Sequence, residues 1–178
     1  MSNFVHLHNH THYSLLDAAC TPEQLIKAAE ADGQTAIALT DHGVMYGCYE
    51  MYKKCTAHGI KPILGFEAYV AMGSRLEKNL DKSARTQKRN YYHLILLAKD
   101  LTGYHNLMKL CTLGHTEGFY YRPRIDREII EKYKDGLIVS SACLAGVVSK
   151  HLIAGEMSAA IEQAKYYHDL FGDDFYLE

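Results

Sequence analysis

Apolar and polar positions along the 178-residue chain change period several times, and each change marks an element. The stretch FVHLH alternates and is rich in β-formers, which predicts a strand. In TPEQLIKAAEADG, Thr21 stands at an N-cap, Pro22 at the first helical position, and Glu23 and Gln24 in the first turn. Leu25, Ile26, Ala28 and Ala29 form its apolar face and Gly33 stops it. TAIALT is a short buried strand, and YGCYEMYKKCTAHG a second helix closed by Gly59. KPILGFEAYVA and YYHLILLA read as strands, TGYHNLMKLCTLGH as a helix capped by Thr102, and DREIIEKYKDG as a short helix ending at Gly136. LIVSSA is a strand, EMSAAIEQAKYYHDLFG a helix, and DFYLE the start of another strand. Strands and helices recur about every 25–35 residues, the pattern of an α/β sheet or barrel. No internal repeat is visible.

Residues 74–90, SRLEKNLDKSARTQKRN, are polar and read as a surface loop. Their apolar residues, chiefly Leu76 and Leu80, are too few for a covering helix. The strands at 62–70 and 91–98 are therefore expected to form an antiparallel hairpin. The chain stops at Glu178 inside a predicted strand, so the expectation is an N-terminal fragment of something longer.

Composition narrows the class. The chain is 48% hydrophobic and 22% charged, with a net charge of -2, so no global field draws it to nucleic acid or membrane. There is no basic segment leading into an apolar run, hence no signal peptide, and no apolar stretch approaches the length of a membrane span. Five cysteines without a CxxC pair fit a reducing, cytoplasmic setting. The unusual figure is eleven histidines against nineteen Lys plus Arg.

Four of those histidines, His6, His8, His10 and His12, occupy every second position. Side chains at i and i+2 of a strand share a face about 6.6–7 Å apart. Several imidazoles buried together need something to satisfy their nitrogens, and a metal does so. The alternative for His8 and His10 is a polar edge strand; His6 and His12 either back the site or face solvent. Asp17 follows closely, His42 comes right after TAIALT, Glu67 ends PILGFE and Cys143 follows LIVSSA. In a β/α barrel the C-terminal strand ends converge on one face. Nitrogen, oxygen and sulfur donors together suit Zn, Mn or Fe better than Mg or Ca. They outnumber the ligands of one four-coordinate ion, which points to two or three ions.

HNHTHYS fits the pattern His-x-His-x-x-x-Ser, and LTDHG a second motif, of the polymerase and histidinol phosphatase (PHP) superfamily. VHLHNHTHYSLLDA, ALTDHGVMYGCYEMYKK, GIKPILGFEAYVA, LLAKDLTGYHNL, EGFYYRPRIDREII and GLIVSSACLAG together resemble the PHP domains that open bacterial replicative DNA polymerase III alpha subunits. The resemblance covers almost the whole chain except residues 74–90. It implies one domain over 1–178, a distorted seven-stranded β/α (TIM-like) barrel truncated at its C-terminal end, with up to three metals. The implied ligands are His8, His10, Asp17, His42, Glu67, His93 and Cys143. A later Asp-x-His pair of the family has no match, so the cluster is expected to be incomplete. His93 precedes LILLA, the wrong end for a parallel strand; the antiparallel hairpin would bring it to Glu67, and a core histidine is the alternative.

The resemblance implies three readings of function. One is a metal-dependent phosphoesterase or 3′-5′ exonuclease. Another is a non-catalytic module that stabilises the polymerase and docks a separate proofreading exonuclease subunit. The third is a stand-alone histidinol-phosphatase-like enzyme. It also implies other domains of the polymerase chain as partners, and DNA through the parent, whose nucleotidyltransferase site would lie elsewhere. Asp41 either orients His42 or turns the chain. Lys82, Arg85, Lys88 and Arg89 either contact phosphates or, the better reading, decorate a solvated loop. The tyrosines of FYYRPR stack on bases, on a neighbouring domain or in the core. Cys143 has a plain buried thiol as its alternative, and Cys20, Cys48, Cys55 and Cys111 are assigned to packing.

Overall fold

The computed structural model describes residues 4–78 and 90–178. Local signals fix its first half. Thr21 closes a capping box on α1 (Pro22–Ala31): its side chain accepts from the Gln24 N–H, and the Gln24 side chain accepts from the Thr21 N–H. β1 (Ala36–Leu39) is buried at every position, as its unbroken apolar run requires. α2 (Cys48–His58) ends on Gly59 at φ 69, the left-handed conformation glycine tolerates best. The three elements share a core built on Ile26, Ile37, Leu39, Met51 and Cys55.

β2 (Lys61–Ala71) is the spine of the sheet. Its first residues pair in parallel with β1, and Gly65–Ala71 pair antiparallel with β3 (Tyr91–Ala98). This is the hairpin expected from the polar 74–90 segment. Tyr69 and Val70 pair in parallel with β5 (Arg122–Ile125), against which β4 (Phe119–Tyr120) folds back. β3 also runs antiparallel to β6 (Leu137–Ser140), which carries β7 (Phe175–Tyr176) in parallel. The seven strands follow the path β4-β5-β2-β3-β6-β7, with β1 beside β2. Among the described residues no pairing joins β4 to β7, so the sheet is open. α3 (Leu101–Thr116), α4 (Arg127–Lys132), α5 (Val147–Ile153) and α6 (Met157–Phe171) cover one face over Phe66, Ala68, Leu94, Leu96 and Val139. The alternate residues of β2 and β3 face the other way. There Ile95 and Leu97 pack with Ala38 and Ala142, and Glu67, Tyr69 and His93 lie further along the same face.

The structure corrects several expectations. FVHLH is extended but is not a strand. The His6 and Asn9 carbonyls accept from the N–H groups of Ala38 and Thr40, while the Asn9 amide caps the His6 and Ala38 carbonyls and breaks a regular ladder. α3 is capped by Asp100, whose carboxylate accepts from the Gly103 N–H at 2.9 Å, rather than by Thr102. Gly103 lies so close to Gly136 that a Cβ would strike its carbonyl. α4 stops at Lys132, short of Gly136. β4, β5 and α5 were not anticipated. The tyrosines of FYYRPR are not core: Tyr121 is exposed and Tyr120 half-buried. Lys82, Arg85, Lys88 and Arg89 lie outside the described residues.

A buried ionic knot holds the start of the 74–90 segment. Arg75 meets Asp126 at 3.1 Å, Glu117 at 2.7 Å and Glu128 at 2.8 Å. Fully buried Arg124 donates to the Arg75 and Glu77 carbonyls.

Candidate metal centre

Glu67 is the hub. β2 outruns β1, so Glu67 lies beyond the last β1 pair, where His42 meets it in a single parallel bridge. The Gly43 N–H donates to the Glu67 carbonyl at 2.8 Å and the Glu67 N–H to the Asp41 carbonyl at 3.0 Å. Its carboxylate is completely buried and surrounded by imidazoles. Oε1 lies 2.8 Å from His93 Nδ1 and 3.4 Å from His8 Nε2. Oε2 lies 2.5 Å from His42 Nδ1 and 3.5 Å from His10 Nε2. The His10 and His42 rings stack at 4.0 Å between centroids.

The other sequence-derived candidates arrive at the same place. His93 pairs with Tyr69 across the hairpin, which turns it to the Glu67 side. Asp17 Oδ2 is 3.1 Å from His42 Nε2, and its predecessor Leu16 sits at φ 65. Cys143 follows β6 just after Ala142 at φ 60, with Sγ 3.8 Å from Glu67 Oε1 and 3.9 Å from His93 Nδ1. These left-handed non-glycine residues flank the donors, the placement expected of strain held at a functional site. His6 is exposed, and His12 packs on Tyr13. Cys48 and Cys55 are buried while Cys20 and Cys111 are half-buried, as packing residues.

Sequence reasoning missed Glu178. Its Oε1 lies 2.7 Å from His8 Nδ1, and its other oxygen bonds the Ser140 hydroxyl. No motif surrounds it; only its place at the end of a strand next to β6 could have raised it. Asp41 is fully buried and accepts from the Thr11 N–H, the Thr11 hydroxyl and the Ser14 hydroxyl.

The charges are coupled. Burial would raise the Glu67 carboxyl, but hydrogen bonds from His42, His8 and His93 hold it well below the usual carboxylate range. Burial would depress His8, yet Glu178 and Glu67 push it up to about 9. His42 is likewise raised, against burial, chiefly by Glu67. His10 goes the other way, lowered by burial and by the neighbouring His42. Burial pushes the Cys143 thiol up.

This arrangement fits divalent transition ions. Three overlapping triads, His8/His10/Glu67, His10/Asp17/His42 and His42/Glu67/His93, bring donor atoms within 4.8 Å of one another. His93 Nε2 is buried without a hydrogen-bond partner among the described residues, and His42 Nδ1 and Glu67 Oε2 face each other at 2.5 Å in poor hydrogen-bond alignment. Unmet lone pairs of this kind are costly in a protein interior and are what a cation would satisfy. The triads open on a cleft of about 890 Å³ walled by Tyr46, Tyr69, Tyr91, Tyr121 and Arg122. Among the described residues Arg122 is the sole Lys or Arg of that lining, with its guanidinium 5.6 Å from the Tyr69 ring centre.

The PHP domain model matches residues 6–178. The chain belongs to the PHP domain family. It is 50% identical over 178 residues to the DNA polymerase III subunit alpha of Aquifex aeolicus, and 48% identical over 177 to that of Treponema pallidum. Each match covers 99% of this PHP chain and 15% of the relative, so the chain spans about one-seventh of their length. Among solved structures, one from Bifidobacterium adolescentis described as a metal-dependent phosphoesterase aligns over 97% of this chain and 56% of that one, at 16% identity and TM-score 0.40. The family assignment rests on the sequence matches. No helix among the described residues is long and apolar enough to cross a membrane.

Proposed function

We propose that residues 1–178 form the metal-binding PHP module of a bacterial replicative DNA polymerase III alpha subunit, working in the cytoplasm beside the other domains of that chain. His8, His10, Asp17, His42, Glu67, His93 and Cys143 hold two or three Zn, Mn or Fe ions, and the site hydrolyses phosphoesters at a DNA 3′ end. The observation that carries this reading is the buried Glu67 carboxylate facing four imidazoles in overlapping triads. Bound ions would supply Lewis-acid charge and an activated water. The chain's own residues do the rest. Glu67, shared by two triads, would contribute its carboxylate to more than one of the metal positions. Glu178, beside His8 Nδ1, orients that ring. Arg122 offers a cation to a phosphate on the open wall. Tyr46 and Tyr121, both exposed, offer faces on which a base can stack.

The test is anomalous diffraction from crystals soaked in Mn or Zn, paired with metal-dependent cleavage of a short single-stranded DNA. Ions at the triads, and cleavage lost in His8→Asn/Asp17→Asn, are expected. An empty site, or cleavage indifferent to both replacements, would overturn the reading.

One observation favours the docking reading in addition. Leu15, Leu16 and Tyr121 line the cleft and are all strongly exposed, an apolar rim that suits a protein partner such as the exonuclease subunit. That role predicts that replacing the rim weakens partner binding while metal uptake is unchanged.

A further inference from the structure

A serine that binds nothing in the proposed chemistry sits under two of its histidines. Ser14 is buried, and its hydroxyl meets three groups. It donates to Asp41 Oδ1 at 2.7 Å. It accepts from the His42 main-chain N–H at 3.0 Å. It also lies 3.3 Å from His10 Nδ1.

The hydrogen bonds of this knot favour one arrangement, against the pull of Glu67 Oε2, which lies 3.5 Å from His10 Nε2. Asp41 already accepts from the Thr11 N–H at 2.6 Å and the Thr11 hydroxyl at 2.8 Å. Both Asp41 oxygens are thus placed as acceptors, and the Ser14 hydroxyl at 2.7 Å donates to Oδ1. Ser14 has a single proton, and Asp41 takes it. The His42 amide can only donate. The remaining hydroxyl lone pair is therefore the acceptor for His10, so Nδ1 carries the ring proton. Neutral imidazole has one N–H. His10 Nε2, the nitrogen facing Glu67 and the cleft, is then left with its lone pair free.

We infer that the Thr11–Asp41–Ser14 knot is a positioning device that locks His10 in its Nδ1–H tautomer and fixes the His42 backbone, so that both rings are set for metal before any ion arrives. This rests on the metal-centre reading for its purpose but not for its geometry. Asp41 acts on the site through Ser14 and reaches no ligand side chain itself. It does the work that a carboxylate or carbonyl does when it bonds a ligand histidine directly, with a hydroxyl as the intermediary. The serine of the His-x-His-x-x-x-Ser pattern thereby acquires a physical task.

The experiment is a long-range ¹H–¹⁵N NMR spectrum of this chain without metal, at a pH where His10 is neutral, with His10 assigned by replacement. The Nδ1–H tautomer is expected in the unmodified protein, and an Nε2–H signal would overturn the inference. Ser14→Ala should give a mixture of tautomers and weaken Mn binding by about 10–100-fold. Ser14→Thr, which keeps the hydroxyl, should restore both. Should Ser14→Ala fail to fold, the unmodified protein and Ser14→Thr still decide the matter. A Ser14→Ala protein with an unchanged tautomer and unchanged Mn affinity would also overturn it. If the unmodified protein takes up no Mn, the metal-centre reading falls, and the tautomer spectrum still judges the knot on its own terms.

Discussion

Glu67→Gln separates a metal centre from a merely polar pocket, because Glu67 belongs to two of the three donor triads and is fully buried. In the metal-free protein the change removes the charge that raises His42 and, beside Glu178, helps to raise His8. Those rings then give up charge-assisted hydrogen bonds worth about 1.5–3 kcal/mol each. The amide keeps one acceptor oxygen, so a net loss of about 3 kcal/mol is expected. The effect of metal has a separate magnitude. An ion that binds only the folded state stabilises it by RT ln(1 + [L]/Kd), about 2.7 kcal/mol at a hundredfold excess over Kd. For a domain of this size each kcal/mol moves the melting temperature by about 2–4 °C, so the unmodified protein should gain about 5–11 °C. Glu67→Gln should keep little of that increment, since one triad alone survives intact. The assay is calorimetric melting of both proteins with chelator and with Mn or Zn. A variant that melts lower without metal yet gains the full increment with it would show that Glu67 is a structural anion and not a ligand, and the reasoning would fail.

Three further outcomes are expected. Because His8 is raised from 6.5 to about 9 by Glu178 and Glu67, its protonation contributes stability that is complete below pH 6.5 and lost as the pH climbs towards 9. Melting curves of the metal-free protein should show that decline, and His8→Asn should flatten it. Metal affinity should rise over the same interval, since ions displace those protons; titration by calorimetry in two buffers checks the proton release. Arg75→Met leaves buried Asp126 without its cation, with only main-chain N–H donors from residue 75 and Ile129, and should cost about 3 kcal/mol in urea unfolding, with metal uptake retained. Arg122→Gln should raise the KM for a DNA 3′ end and leave Mn affinity unchanged; equal loss of both would place Arg122 in the architecture of the site.

Much of the fold was written in local signals that act over a few residues. Thr21 with Gln24, and Gly59 at its positive φ, stop or start helices whatever surrounds them, and such signals are read directly from sequence. The β2–β3 hairpin followed from what residues 74–90 lack. The pieces that escaped notice depend on context. β4 and β5 are short, contain Pro123 and turn through Tyr121 at φ 60; they exist because β5 finds the outer end of β2. α5 has no side-chain cap at Gly146 and is held by burying Val147 and Val148 against the core. The Asp100 cap was overlooked because Thr102 is also a good capping residue, and only the contact of Gly103 with Gly136 decides between them.

The site shows the same division. The identities of the donors were legible as chemistry, and strand ends converging on one face gave the expectation that they meet, but not the contacts by which they do. Periodicity explained why His8 and His10 could share a face, yet the segment that carries them is no strand. The same-side placement comes instead from Asn9 clipping the chain to β1. His93 could be placed only by arguing that its strand runs backwards. Asp41 appeared as either a turn former or a support for His42; in the structure its carbonyl accepts from the Glu67 N–H while its carboxylate holds Thr11 and Ser14, whose hydroxyl accepts from the His42 N–H. A residue whose main chain fixes one member of the site and whose side chain fixes another has no sequence signature of its own. It couples β1, β2 and the histidine segment. Replacing the Asp41 side chain should therefore disturb His10 and His42 together through Ser14, whereas loss of any single donor disturbs its own triads alone.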